Sequence, residues 1–136
     1  MGVYKRLEEE FDFDIIDEFM DHFEMMSEVM EPTIVSLSDT TDYTEKIEAL
    51  FRIFHNLKSA SGFLKLAVLN RLSAFAENVM EEARKSPGPA SEEFTNWLLL
   101  VSDQYAKWYE DLSEDREEFT PLNFLIFNTP TTLEAS

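Results

Sequence analysis

The chain contains two histidines, and one of them has neighbours that could support chemistry. His55 is followed by Asn56-Leu57-Lys58-Ser59-Ala60-Ser61-Gly62-Phe63-Leu64. At the helical turn of about 100° per residue, Phe54 points to the middle of an apolar stripe and His55 lies at its edge. Glu48, His55, Ser59 and Gly62 share the stripe beside it. Small residues just beyond the histidine leave the imidazole above a low surface that another protein could approach closely. Lys58, one turn on, is placed where an ammonium can reach a group bonded to the ring. Gly62 inside a helix costs about 1 kcal/mol against alanine and asks for a reason. Close approach of a partner's backbone is one; helix–helix packing is the other.

These residue types suit phosphoryl transfer. A neutral imidazole is a competent nucleophile near pH 7, because its ordinary pKa is about 6.5. The attacking nitrogen must be exposed, and the other is best held as N–H by an acceptor. A nearby lysine can offset the charge on a transferring phosphoryl group. A carboxylate is the natural orienting acceptor, and Glu77 is a candidate on geometric grounds. If two helices turn around Leu66, His55 and Glu77 each lie about 16 Å from the turn, at one level of an antiparallel hairpin. Spacing alone leaves open whether Glu77 faces His55. Taken alone, His55 reads as an ordinary half-buried histidine at a core edge, and Lys58 as a solvated helix lysine. Arg52 and Arg84 could assist with charge but read chiefly as surface residues. His22 follows Glu18 by one turn, yet a carboxylate-bridged metal bundle needs repeated Glu and Glu-x-x-His sets, so no metal site is expected.

Four amphipathic segments would position these groups. The first runs from about Asp14 to Leu37, with Ile15, Ile16, Phe19, Phe23, Met26, Met30, Ile34 and Leu37 along one side. Pro32 interrupts it and predicts a bend or a second short helix. The second, about Tyr43 to Leu64, opens on Asp42 and Glu45 at capping-box spacing. The third runs from about Ala67 to Lys85 and ends in Ser86-Pro87-Gly88-Pro89, a loop signal. The fourth begins at Ser91, a good N-cap, with Glu92 and Glu93 at the positive end of the helix. Its apolar face carries Phe94, Trp97, Leu98, Val101, Tyr105, Trp108 and Leu112. The expected fold is all-α: an antiparallel up-and-down four-helix bundle over residues 1–118, followed by a tail over 119–136. The apolar run Phe119–Phe127 predicts a tail folded back on the bundle, with a docking segment or linker as the alternative. Thr129–Ser136 is expected to be disordered.

Composition narrows the function classes. The 136 residues carry 11 Lys and Arg against 28 Asp and Glu, a formal net charge of −17. Such a field repels phosphate backbones and anionic lipid, so nucleic acid and membrane surfaces are not expected partners. Without cysteine there is no disulfide framework, thiolate metal site or cysteine nucleophile. No apolar run approaches the roughly 20 residues that cross a bilayer. The start turns acidic at once, unlike a signal peptide, and Arg6 occupies the place where a myristoylation signal wants Ser or Thr. A cytoplasmic protein is expected.

The run His55-x-x-Lys58-x-x-x-Gly62 on a helix resembles the motif of histidine-containing phosphotransfer (HPt) domains. The similarity is closest to the amino-terminal phosphotransfer domain of chemotaxis-type histidine kinases. It runs from Phe51-Arg52-Ile53-Phe54-His55 through Val68-Leu69 and Glu77-Asn78 to Glu82-Ala83-Arg84. Weaker similarity covers about residues 14 to 112. Ser59 and Lys65 depart from the family, which often has glycine at both places. The resemblance implies that Nδ1 of His55 bonds Glu77, that Nε2 accepts the phosphoryl group, and that Lys58 stabilises charge. It implies a phosphohistidine carrier without an ATP site of its own, whether a freestanding shuttle or part of a histidine kinase. The implied partners are a response-regulator receiver domain, docking over Ser59, Gly62 and Phe63, and a histidine-kinase catalytic domain. No cofactor is expected on this chain, and Mg²⁺ is expected on the receiver. The alternative is a helical interaction domain that has kept the bundle without phosphotransfer.

Overall fold

The computed structural model describes residues 1–135. Its helices are α1 (Val3–Glu10), α2 (Phe13–Val35), α3 (Tyr43–Phe63), α4 (Ala67–Ala83) and α5 (Glu92–Ser113). Short 3-10 turns cover Ser36–Ser38 and Phe124–Phe127. The protein is all-helical, with α2 to α5 forming the bundle and α1 lying across its end against α2 and α5. No described helix is long and apolar enough to cross a membrane.

The expected stripes line the core, except that Ile15 is exposed and Met26 only partly buried, both at the edge of α2 that borders a surface groove. α2 buries Ile16, Phe19, Phe23, Met30 and Ile34, and α3 buries Ile47, Leu50, Phe54, Leu57 and Ser61. α4 contributes Leu69, Leu72, Ser73, Ala76 and Met80, and α5 the fully buried Tyr105 and Trp108. α3 and α4 pack most extensively, whereas α2 meets α3 along a much shorter seam. α5 reaches α4 through long side chains: Tyr105 shares a hydrogen bond of 2.6 Å with Ser73, and Trp97 packs on Phe75. Burial pushes the Tyr105 phenol far above its ordinary value, so this bond is between neutral hydroxyls.

The helix ends follow local chemistry, with three differences from expectation. Ser91 caps α5, its Oγ accepting the Phe94 N–H at 3.0 Å. Asp42 makes no side-chain cap, because its backbone sits in the left-handed region at φ 55° and carries the chain into α3 from an angle a capping box does not use. α2 continues through Pro32 to Val35 without a break into two helices. Pro32 lies in the last turn, where little helix remains to be disrupted. The third difference is α1. It shows only Val3 and Leu7 to the core, too little for a periodic signal, and the segment just after α5 supplies its cap from 110 residues away. Asp115 Oδ1 accepts the N–H groups of Tyr4 and Lys5 at 3.1 and 3.0 Å, and the Val3 N–H donates to Arg116 O at 2.7 Å.

Beyond α5 the chain runs back over the bundle. The Trp108 indole donates to Thr120 O and the Trp97 indole to Ile126 O, both at 2.8 Å. Thr120 N–H donates to the buried Asp111, and Asn123 N–H to Gln104. Ile126 is buried, while Phe124, Leu125 and Phe127 remain exposed. Of Thr129–Ser136, for which disorder was expected, several residues have defined partners: Ser91 N–H donates to Leu133 O, and Ala135 N–H to Pro89 O. Ser136 lies outside the described residues.

Candidate functional site

The site is built on the α3–α4 hairpin. α3 ends with Lys65 at φ 60°, in the left-handed position that most often holds glycine. Leu66 N–H reaches back to Ser61 O at 2.8 Å and Lys65 N–H to Gly62 O at 3.2 Å, the paired bonds of a Schellman turn. The tight reversal lays α4 along α3, so residues equidistant from Leu66 meet.

His55 and Glu77 meet in this way, His55 Nδ1 lying 3.2 Å from Glu77 Oε1. The imidazole is half exposed at 52%, while the carboxylate is only 13% exposed. Lys58 Nζ lies 2.7 Å from Glu77 Oε2, a close ion pair. Burial raises the Glu77 carboxyl's pKa, but Lys58 first and His55 second more than offset it and hold the group below the usual carboxylate range. An ionised carboxylate only accepts, so the hydrogen of this contact is on Nδ1. In a neutral ring Nε2 then carries the lone pair, on the side away from Glu77. The arrangement can therefore present an oriented nucleophilic nitrogen to an incoming electrophile, with a fixed negative charge behind the ring to stabilise a developing imidazolium.

The remaining sequence-predicted residues are distributed around this triad. Ser59 and Phe63 line a groove of about 690 Å³ between α3 and α2, with Ile15, Phe19, Met25 and Met26 on the α2 side. Arg52 and Asn56, helical neighbours of His55, also face it. Phe63 is 62% exposed there and packs on Phe11. Gly62 lies at the α4 edge of the His55 stripe: a Cβ at this position would stand 3.1 Å from Asn70 Nδ2, which donates to Lys58 O at 2.8 Å. Contact between α3 and α4 thus gives the internal glycine a reason. His22 and Glu18 face the same groove. Among the described residues no group of three or more His, Cys, Asp or Glu side chains could hold a metal ion.

Two contributors were not singled out from the sequence: Phe51 stacks on His55, and Asn70 ties α4 to the backbone of Lys58. Arg84, read from the sequence chiefly as a surface residue, covers Phe51. The equal-distance reasoning that found Glu77 also finds Asn70, four residues after Leu66 where Gly62 is four before it. Phe51 is one turn before His55, a neighbour by helix geometry alone.

Comparison with known proteins places the chain among relatives. The chain is 29% identical over 72 residues to the sensor histidine kinase CheAY of Helicobacter pylori, covering 53% of this chain and 9% of that protein. It is 24% identical over 90 residues to the chemotaxis protein CheA of Salmonella typhimurium, covering 66% of this chain and 13% of that protein. The chain thus spans about a tenth of the length of these relatives. No solved structure gives a significant match. The Hpt domain family matches residues 14–115, from the start of α2 to just past the end of α5, with His55, Lys58 and Glu77 inside that span. The chain belongs to the Hpt domain family.

Proposed function

We propose that this chain is a phosphohistidine carrier in a two-component phosphorelay, with Nε2 of His55 as the acceptor. The observation that carries this reading is the Nδ1 contact with Glu77, which leaves the opposite nitrogen of a half-exposed ring with the lone pair. Transfer from a receiver aspartyl phosphate forms the P–N bond at Nε2 as the acyl P–O bond breaks, and the aspartate leaves as a carboxylate. The ring becomes an imidazolium with its Nδ1–H still on Glu77, whose negative charge compensates it. Lys58 sets the charge and direction of Glu77 and brings an ammonium to the same end of the site. Mg²⁺ belongs to the receiver's side of the reaction. The groove beside His55, with Ser59 and Phe63, is the docking surface in this reading, and Gly62 contributes by keeping α3 and α4 close. A histidine-kinase catalytic domain is the alternative donor, and a cytoplasmic setting follows from either.

The test is transfer of labelled phosphoryl groups from aspartyl-phosphorylated receiver domains to the wild type and to His55→Gln. Acid-labile, base-stable label on the wild type alone is the expected result. A folded wild type that takes no label from any receiver or kinase module would favour the interaction-domain alternative.

A further inference from the structure

Phe51 lies one helical turn before His55, and its ring is nearly parallel to the imidazole, at 11° with centroids 6.3 Å apart. That places a flat apolar wall beside the reacting ring, in offset stacking range. The wall is itself fixed. Arg84 Cζ stands 4.3 Å from the Phe51 ring centroid, and its guanidinium pairs with Glu48 Oε1 at 2.6 Å and Glu81 Oε1 at 2.9 Å. Glu48 and Phe51 come from α3, Glu81 from α4 and Arg84 from the C-cap of α4, so the assembly spans the hairpin that carries Glu77. A planar guanidinium suits this double task, stacking on the ring while its edge pairs with carboxylates.

A half-exposed imidazole retains a broad second side-chain torsion, and a half-turn about it exchanges the edges that bear Nδ1 and Nε2. Glu77 can accept from either nitrogen, so a carboxylate alone does not select one. A wall parallel to the ring resists the tilting through which the exchange must pass. We infer that Phe51, clamped by Arg84 and Glu48, is a positioning residue that fixes the His55 plane with Nδ1 on Glu77 and Nε2 toward the incoming phosphorus. Its consequence for transfer rests on the phosphohistidine reading; the orientation itself does not.

Phosphoramidate separates the two, because it needs no partner protein. As its ammonium zwitterion it loses ammonia when the P–N bond to the imidazole forms and the bond to its own nitrogen breaks. The experiment uses a His22→Gln background, so that a single ring reports, and compares Phe51, Phe51→Leu, Phe51→Tyr and Arg84→Gln. Ring ¹⁵N shifts give the tautomer, and ³¹P signals distinguish the two phosphorylated nitrogens. Phe51→Leu is expected to lower the Nδ1–H share, to slow labelling at Nε2 about tenfold and to produce a second signal from Nδ1. Phe51→Tyr, which keeps the flat ring, retains the parent behaviour. Arg84→Gln shifts the same readouts in the same direction by about threefold, and decides the matter if Phe51→Leu does not fold. Folded Phe51→Leu and Arg84→Gln proteins with parental tautomer and a single Nε2 signal would overturn the inference. Failure of receiver transfer would overturn the phosphorelay reading while leaving these readouts intact.

Discussion

Lys58 and His55 approach one carboxylate from two sides, and the charge state of Glu77 depends on both. Burial works against the charge and the two partners work for it, Lys58 more strongly. Lys58→Met therefore raises the Glu77 pKa, with burial then opposed by His55 alone, and a carboxyl-carbon NMR titration reads the change directly. In the wild type the folded value lies below the unfolded one. Glu77's contribution to stability is thus present above the ordinary carboxylate range and disappears as pH falls through the lowered value. A Glu77 titration in Lys58→Met unchanged from wild type would mean that Lys58 is only a solvated helix lysine. The same ion pair explains why Lys58 was easy to notice but hard to assign: its spacing from His55 is visible in sequence, whereas its bond to Glu77 depends on side-chain torsions.

At the level of elements, the α3–α4 hairpin transmits sequence into site geometry. Lys65 occupies a left-handed position without being glycine, which costs roughly 1 kcal/mol. Its exposed pairing with Glu10 at 3.3 Å returns little of that. Lys65→Gly is expected to raise stability by about 0.5–1 kcal/mol in urea denaturation, with the His55–Glu77 contact preserved. A destabilised Lys65→Gly would show that the ion pair to α1 matters more than the backbone conformation. The four long helices were legible because their apolar residues recur at a helical period and Ser91 caps α5 as its type suggests. α1 was not legible, since its two core residues make no pattern and its cap comes from Asp115. Asp42 shows the limit of a local motif: Glu45 follows at the right spacing, but the left-handed backbone at Asp42 prevents the reciprocal bonds. Glu77 could be placed at the level of His55 by distance from the turn alone, and Asn70 was available by the same reasoning. The Phe51–Arg84–Glu48 assembly was not, because a stack and a clamp are settled by torsions that spacing does not carry.

At the scale of the whole molecule, a chain with net charge −17 must hold its acids apart or pair them. Asp111 is the extreme case, buried on α5 where it accepts Thr120 N–H at 2.6 Å and Arg116 Nη1 at 2.7 Å. Burial would raise its pKa, but the Thr120 amide and Arg116 outweigh it and keep the carboxyl below its ordinary range. The stability it confers is complete above that range and lost as pH falls through the lowered value. Asp111→Asn is expected to cost about 1–2 kcal/mol near neutral pH and to lose its effect toward the acid end of the stability curve. An equal cost at all pH values would show that geometry rather than charge holds the tail. The tail in turn closes the face of α5 between Trp97 and Trp108, while the groove beside His55 remains open to a partner.

The central claim concerns one atom, Nε2 of His55, and the most direct measurement identifies the phosphorylated atom. Wild-type protein labelled by a phosphorylated receiver would be studied by ³¹P and ring ¹⁵N NMR, with His55→Gln as the blank. The account predicts one phosphohistidine, with phosphorus bonded to Nε2 of His55, Nδ1 still protonated, and no signal in the variant. Phosphorus on Nδ1, on His22, or undiminished in His55→Gln would contradict it.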